Sequence, residues 1–314
     1  MVPLISVRDR EWRGVRRHLG AALMVAVMSI LPAEAADVAP PGQKVLLVVA
    51  HPDDEFAFAA TTYRLARELG ATVDQVVITN GESGYHYSGL AELVYGVRLT
   101  DRASARARLP EIRRQEALAA GRILGIRRHY FLGQRDDGVS RDVDDTLQRL
   151  WDSAGVLRSL EGLMRRERYD FVFTTLPTAQ THAHHRAAAV LTLQAVCRLP
   201  EAARPVVLAA DPDDEDPAAF TGLPSYRVTQ PIDTRPVFTF DRRRRFGFHD
   251  AFSYQIVVNW VIAEYKSQGL FQNDYNRRDS EQFWAFAASG PEAAGRCDVL
   301  ASSLNNPASV LAIR

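Results

Sequence analysis

Thiols are scarce in this chain. Of 314 residues only Cys197 and Cys297 are cysteine. That excludes a cysteine-rich zinc module and a multi-disulfide scaffold, and leaves room for one bridge at most. An excess of either charge is also lacking: Lys plus Arg number 38, and Asp plus Glu number 38. A balanced chain has no general electrostatic pull toward nucleic acid or an anionic bilayer, so a polyanionic partner held by bulk charge is excluded. No G-x-G-x-x-G follows the first strand-like run, which removes the dinucleotide-binding fingerprint. No internal repeat is present, and no apolar run is long enough to cross a bilayer. Apolar residues, by contrast, make up 46% of the chain, enough for one large domain or two small ones with a sizeable core.

The N-terminus has its own composition. Arg8, Arg10, Arg13, Arg16 and Arg17 precede the uncharged run Ala21–Leu31, and Pro32, Ala33, Ala35 and Ala36 follow it. A basic segment, a short apolar segment and small residues spaced A-x-A form the pattern of a secretory signal peptide. We expect residues 1–36 to be removed on export and the mature protein to be periplasmic or secreted. Removal takes away five Arg and three acidic residues, leaving 33 basic and 35 acidic. No integral membrane span is expected after that removal. In an exported protein Cys197 and Cys297 are free to pair.

The remainder alternates strand-like and helix-like segments. A nearly continuous apolar run at Lys44–Ala50 and strand-like stretches at Gln75–Gly81, Arg128–Gly133, Tyr169–Pro177 and Pro205–Asp211 predict five strands. Helical spacing predicts helices over Phe56–Leu69, Pro110–Leu124, Asp142–Arg166 and His185–Leu199, with Leu90–Arg108 as a polar loop or insertion. Strands apolar on both faces and separated by helices imply an α/β fold: a mainly parallel, Rossmann-like sheet with helices on both faces. Ligands of such sheets sit beyond the strands' carboxyl ends. From about residue 212 the alternation stops. Arg227–Asp241 predicts a sheet edge, Arg242–Arg245 a solvated basic surface, and Ser253–Gln268 a last amphipathic helix, and from Phe283 the tail is weakly periodic. The acidic stretch Asp211–Asp216 reads as a solvated turn.

One strand ends in an unusual way. "VLLVVA" runs directly into His51, Pro52, Asp53, Asp54 and Glu55. Nothing about folding requires three adjacent carboxylates there. His51 and Asp54, spaced H-x-x-D in a tight turn, can converge on one cation, leaving Asp53 for another task. A third ligand must come from a different loop. The stretch after the fourth strand offers His182, His184 and His185, three of the eight histidines within four positions. Two histidines and one carboxylate, with positions left for water, suit a catalytic zinc ion. Glu55 is expected to favour the following helix start, where negative charge is stabilising.

"AHPDDE" (residues 50–55) resembles the signature of the LmbE-like (PIG-L) N-deacetylase family. Further stretches resemble that family in order: "TNGESG" (79–84), "IRRQEALAAGRILGI" (112–126), "FLGQRDDG" (131–138), "HAHHRAA" (182–188), "SYQ" (253–255) and "EYKSQG" (264–269). The resemblance implies a zinc-dependent enzyme removing acetyl from N-acetylglucosaminyl groups, on a Rossmann-like fold spanning 37–314 as one domain. It implies His51, Asp54 and His185 as zinc ligands, Asp53 as general base, and His182 as the group facing the oxyanion. Arg113 and Asp136 match positions that contact the sugar. The partner is then a small-molecule or glycan substrate. His184 is a departure, since the family commonly has Asp there. It leaves open a register in which His182 or His184 binds the metal, and an alternative in which the chain is a weakly active or inactive sugar-binding relative.

Overall fold

The computed structural model describes residues 42–138, 142–211, 219–273 and 278–306. The expected signal peptide and most of the acidic stretch (212–216) lie outside them. Strand β1 (Lys44–Val49) shows how the sequence builds the sheet. Its side chains alternate across the pleat. Val45, Leu47 and Val49 enter one apolar layer, while Leu46 and Val48 enter the other. Burying each such side chain stabilises the fold by about 1.5–3 kcal/mol. A strand with two buried faces needs cover on both.

The remaining strands are β2 (Thr72–Thr79), β3 (Ile126–Gln134), β4 (Phe171–Thr175), β5 (Val206–Ala210), β6 (Phe238–Asp241), β7 (Arg245–Phe246), β8 (Phe252–Ser253) and β9 (Ser280–Ala285). Seven form one sheet in the order β3-β2-β1-β4-β5-β9-β6, and β7 with β8 makes a small ribbon. Strands β1 to β5 pair in parallel. Strand β9 is antiparallel to both β5 and β6. The fold is thus the expected Rossmann-like α/β arrangement with a mixed C-terminal edge. The chain builds β1, β2 and β3 outward on one side, then returns to place β4 on the other side of β1. That reversal opens a crevice at the carboxyl ends of β1 and β4.

The helices are α1 (Ala59–Tyr63), α2 (Ala91–Tyr95), α3 (Arg102–Leu124), α4 (Val143–Asp145), α5 (Ser153–Glu167), α6 (Ala183–Cys197), α7 (Tyr254–Glu264) and α8 (Ala293–Asn305). Residues of α3, α7 and α8 fill the apolar layer on one face. Those of α5 and α6 fill the other.

Several sequence expectations are corrected here. The stretch 90–108 is not a loop: it holds α2 and the first turns of α3. The Asp101 side chain accepts from Ser104 N and starts α3. Pro110 therefore lies inside that helix, where its missing N–H costs one intrahelical bond. Burial of Ala105 and Leu109 fixes the segment before it. The predicted helix 142–166 breaks at Trp151, whose backbone is extended, and restarts with Asp152 capping α5. Beyond Phe283 the weakly periodic tail holds the end of β9 and all of α8.

The run Arg242–Arg245 is not simply a solvated patch. Arg242 is buried, pairs with Glu281 at 3.1 Å and donates to the Phe56 carbonyl at 2.9 Å. Cys197 and Cys297 are both free thiols, one exposed and one buried.

Candidate active site

Four loops at the carboxyl ends of β1, β2, β3 and β4 supply the site. The first turns tightly after His51. Asp54 Oδ2 accepts from the His51 backbone N–H at 2.8 Å, which folds the H-x-x-D stretch back on itself. Asp53 adopts a φ of 112°, a left-handed conformation that costs a non-glycine residue strain. Its backbone N–H donates to Glu55 Oε2 at 3.3 Å. Glu55 is fully buried in the first turn of the short helix that follows, where its negative charge was expected. It accepts from the Tyr265 hydroxyl and from Gln75 Nε2 at 3.2 Å. Burial pushes its pKa up to about 7. This network was not foreseen, because Tyr265 is 210 residues away.

His51 Nδ1, Asp54 Oδ1 and His185 Nε2 converge. The separations are 3.2 Å between the two nitrogens, 3.0 Å from His185 to Asp54, and 3.5 Å from His51 to Asp54. A tetrahedral ion with bonds of about 2.0–2.1 Å holds its ligand atoms about 3.3 Å apart. These three donors therefore fit a divalent cation of zinc's size. The donor chemistry is suitable as well: two imidazoles and one carboxylate. On the far side of the His185 ring, Nδ1 lies 3.0 Å from Thr181 Oγ1. That contact holds the ring so that Nε2 faces the cluster.

The electrostatics follow from proximity. Burial alone would lower the His51 pKa, but Asp54 and Asp136 together raise it to about 9. Asp54 is held well below the usual carboxylate range, because His185 and His51 outweigh its burial. Asp53 behaves differently. Burial raises it to about 6, against the pull of the Arg113 guanidinium.

His182 caps α6: its Nδ1 accepts from the His184 backbone N–H at 3.2 Å. The ring proton must then sit on Nε2. Burial, followed by repulsion from His51 and His185, lowers its pKa to about 3, so the neutral form prevails. His184 is fully buried, with Nδ1 3.1 Å from His51 Nε2. Its ring lies 5.2 Å from that of Trp151.

The site opens into a cavity of about 230 Å³ lined by His51, Asp53, Asp54, Arg113, Asp136 and His182, among others. All the candidate residues except the buried His184 thus meet at one cavity, with His185 also on its wall. Arg113 reaches it from α3. Its guanidinium pairs with Asp53 Oδ2 at 2.9 Å and donates to the carbonyls of Gly81 (2.8 Å) and Pro52. Gly81 is left-handed, and a Cβ there would come within 2.5 Å of Arg113 Nη1. Asp136 accepts from Ser83 N and Gly138 N.

Sequence reasoning missed Ser83, His86, Tyr87 and Gln268 on the same wall. "TNGESG" contained Ser83 and "EYKSQG" contained Gln268, but nothing in their spacing marked either side chain.

Residues 46–196 match the model of the "PIG-L: GlcNAc-PI de-N-acetylase" family. Over 164 residues, 52% of the chain, it is 28% identical to a probable N-acetyl-alpha-D-glucosaminyl L-malate deacetylase 2 from Bacillus cereus. Over 152 residues, 46% of the chain, it is 38% identical to a 1D-myo-inositol 2-acetamido-2-deoxy-alpha-D-glucopyranoside deacetylase 2 from Saccharopolyspora erythraea. The matches span 65% and 52% of those relatives' own lengths, less than two thirds of either. In fold, the chain resembles N,N'-diacetylchitobiose deacetylase from Pyrococcus horikoshii, with a TM-score of 0.51 and 19% identity over 78% of this chain and 84% of that one. The "HPDDE" turn lies inside the segment, residues 46–196, that matches the PIG-L (LmbE-like) family.

Proposed function

We propose that this protein is an exported, zinc-dependent N-deacetylase that hydrolyses the acetamide of an N-acetylglucosamine-type sugar or glycoconjugate. One observation carries the reading. His51, Asp54 and His185 form a cation cradle, and Asp53 faces the same cavity without belonging to it. The two relatives, named as deacetylases of N-acetyl-glucosaminyl and 2-acetamido-2-deoxy-glucopyranoside compounds, support the same reaction class. Export rests on the N-terminal sequence pattern, and residues 37–314 are proposed as the mature catalytic domain.

The chemistry needs a stronger nucleophile than water and a stronger electrophile than an amide. A bound zinc ion supplies both, lowering the pKa of water to about 7 and polarising the carbonyl. The chain's residues do the rest. His51, Asp54 and His185 would hold the ion. Asp53, ionised at neutral pH, takes the proton of the attacking water and passes it to the leaving amine. The neutral His182 donates Nε2–H to the oxygen on which negative charge develops, with its orientation fixed by the α6 cap. Arg113 keeps Asp53 aimed into the cavity. Asp136, anchored by two backbone N–H groups, is placed to accept from a sugar hydroxyl.

The test is acetate release from a panel of N-acetylated mono- and disaccharides by the metal-loaded protein. Turnover on at least one supports the reading. Full metal occupancy with sugar binding but no acetate would favour an inactive sugar-binding relative.

A further inference from the structure

His51 faces donors on both sides of its ring. On the Nδ1 side stands the cradle already described. On the Nε2 side stand His184 Nδ1 at 3.1 Å and Asp136 Oδ1 at 3.9 Å, with 3.5 Å between those two. The second set has nearly the dimensions of the first, whose separations run from 3.0 to 3.5 Å. His182 borders it: His51, His182 and His184 each bring a ring nitrogen within 4.8 Å of the others.

The orientation of His184 strengthens the case. Its Nε2 lies 3.4 Å from Asp137 Oδ1, a charge-pair distance outside hydrogen-bond geometry. A proton on Nε2 is favoured by that carboxylate, which leaves the Nδ1 lone pair directed at Asp136 and His51. His184 Nδ1, 3.1 Å from His51 Nε2, and Asp136 Oδ1, which also accepts from Gly138 N at 3.0 Å, then face each other in a buried place, and a cation in place of the His51 Nε2 proton is what such a pair attracts. A histidine with one nitrogen toward a cation and the other against a carboxylate is a common ligand arrangement. His185, backed by Thr181, follows the same plan on the first side.

We propose that His51 Nε2, His184 Nδ1 and Asp136 Oδ1 form a second divalent-metal site, which shares His51 with the first and inhibits the enzyme when filled. The proposal rests on the reading of His51, Asp54 and His185 as the first site. Entry is through the common cavity, which Asp136, His51 and His182 line. Filling the second site while the first is occupied requires the His51 Nε2 proton to leave to solvent. The ring then bridges the two ions, so the second ion binds more weakly than the first. An ion there lies beside His182, on which the developing oxyanion depends. Zinc in excess therefore stops turnover without displacing the catalytic ion. The site exists because position 184 is a histidine with its own carboxylate behind it.

The experiment is equilibrium dialysis of the full mature chain against graded free zinc, with zinc per chain counted by elemental analysis and acetate release followed alongside. The wild type should take up a tight equivalent and then a weaker one, with turnover falling as the second fills. His184→Leu and Asp136→Asn should each stop at one equivalent. The second variant keeps an oxygen for one of the two backbone N–H groups, Ser83 or Gly138, and is an independent check should His184→Leu fail to fold. Asp54→Asn should lose the tight equivalent. Crystals grown in excess zinc should show two anomalous peaks on opposite sides of the His51 ring.

A wild type that saturates at one zinc, lost in Asp54→Asn, overturns the second site and leaves the proposed function standing. Two equivalents retained in both His184→Leu and Asp136→Asn place the second ion elsewhere and also overturn it. A wild type with no tight zinc overturns both readings.

Discussion

Arg113 Nη2 stands 2.9 Å from Asp53 Oδ2, inside a cavity wall where both side chains are almost fully buried. The same guanidinium holds the carbonyls of Pro52 and Gly81, so one side chain from α3 ties together the loops after β1 and β2. Its charge also opposes the burial that raises the Asp53 pKa. Removing the cation should raise that pKa further. A base must be ionised to act, so the acid limb of kcat/KM should move to higher pH in Arg113→Gln. Arg113→Lys keeps the charge and loses the fork, and should lower kcat with little shift of the limb. Measuring pH–rate profiles of the three proteins checks this; an unmoved limb in Arg113→Gln rejects it. Breaking this buried pair should also cost about 3–5 kcal/mol of stability, readable by denaturant unfolding.

Asp53 adjoins the cradle without contributing to its three closest donors. Asp53→Asn should therefore retain stoichiometric zinc and lose turnover by roughly 10²–10⁴-fold, the range for a positioned general base. Zinc content and acetate release measured on one preparation decide the matter. Wild-type rates with normal zinc would remove Asp53 from the mechanism.

Glu55 and Tyr265 link the turn after β1 to the end of α7. Tyr265 is almost completely buried, and its hydroxyl donates to a carboxylate that also accepts the Asp53 backbone N–H. Tyr265→Phe leaves that carboxylate short of one donor and should destabilise the protein by about 1–3 kcal/mol. The strained φ of Asp53 gives the change a second consequence: kcat should fall while KM for the sugar stays close to wild type. A stability loss with unchanged kcat would confine the network to a structural role.

The parallel half of the fold was legible because its central strands are apolar on both faces, a pattern that Leu46, Leu47 and Val48 display within three residues. The stretch 90–108 was misread for a local reason. Its arginines and Pro110 suggest a loop, yet Asp101 caps a helix whose buried contacts, Ala105 and Leu109, are spaced too sparsely to show a periodic stripe. Arg242 looked like a surface residue beside three other arginines, since Glu281, its buried partner, lies 39 residues on. In the site, the chemistry-bearing residues were visible in short motifs. Their supports were not: Tyr265 behind Glu55, Asp137 behind His184 and Arg113 against Asp53 are all set by tertiary proximity. The departure at His184 left open which histidine binds the metal, and the structure places its ring against His51.

Half-buried His129 in β3 gives a stability test independent of the metal. Burial lowers its pKa from 6.5 to about 4. A histidine whose folded pKa lies below its unfolded value favours folding above pH 6.5, where both states are neutral, and loses that contribution as pH falls through 6.5 toward 4. Wild-type Tm should therefore drop more steeply than that of His129→Leu between pH 7 and 5. Parallel slopes in scanning calorimetry would show that His129 titrates alike in both states.

His182 supplies the sharpest test of the chemistry. Its Nδ1 is committed to the His184 backbone N–H, and its pKa is held near 3, so the group presented to substrate is a neutral Nε2–H. A neutral donor does not lose its proton in the working range. The alkaline limb of kcat/KM should then persist, at unchanged pH, in a variant that lacks this imidazole. His182→Asn keeps a side-chain oxygen able to cap α6 while withdrawing the reach of the ring. It should retain zinc and the α6 cap, and lose roughly 10²–10³-fold in kcat, the cost of one oxyanion donor. If the alkaline limb disappears together with the rate, His182 works as a cation, and the tautomer assigned by the cap is wrong. If neither rate nor limb changes, the oxyanion is held by another group on the cavity wall.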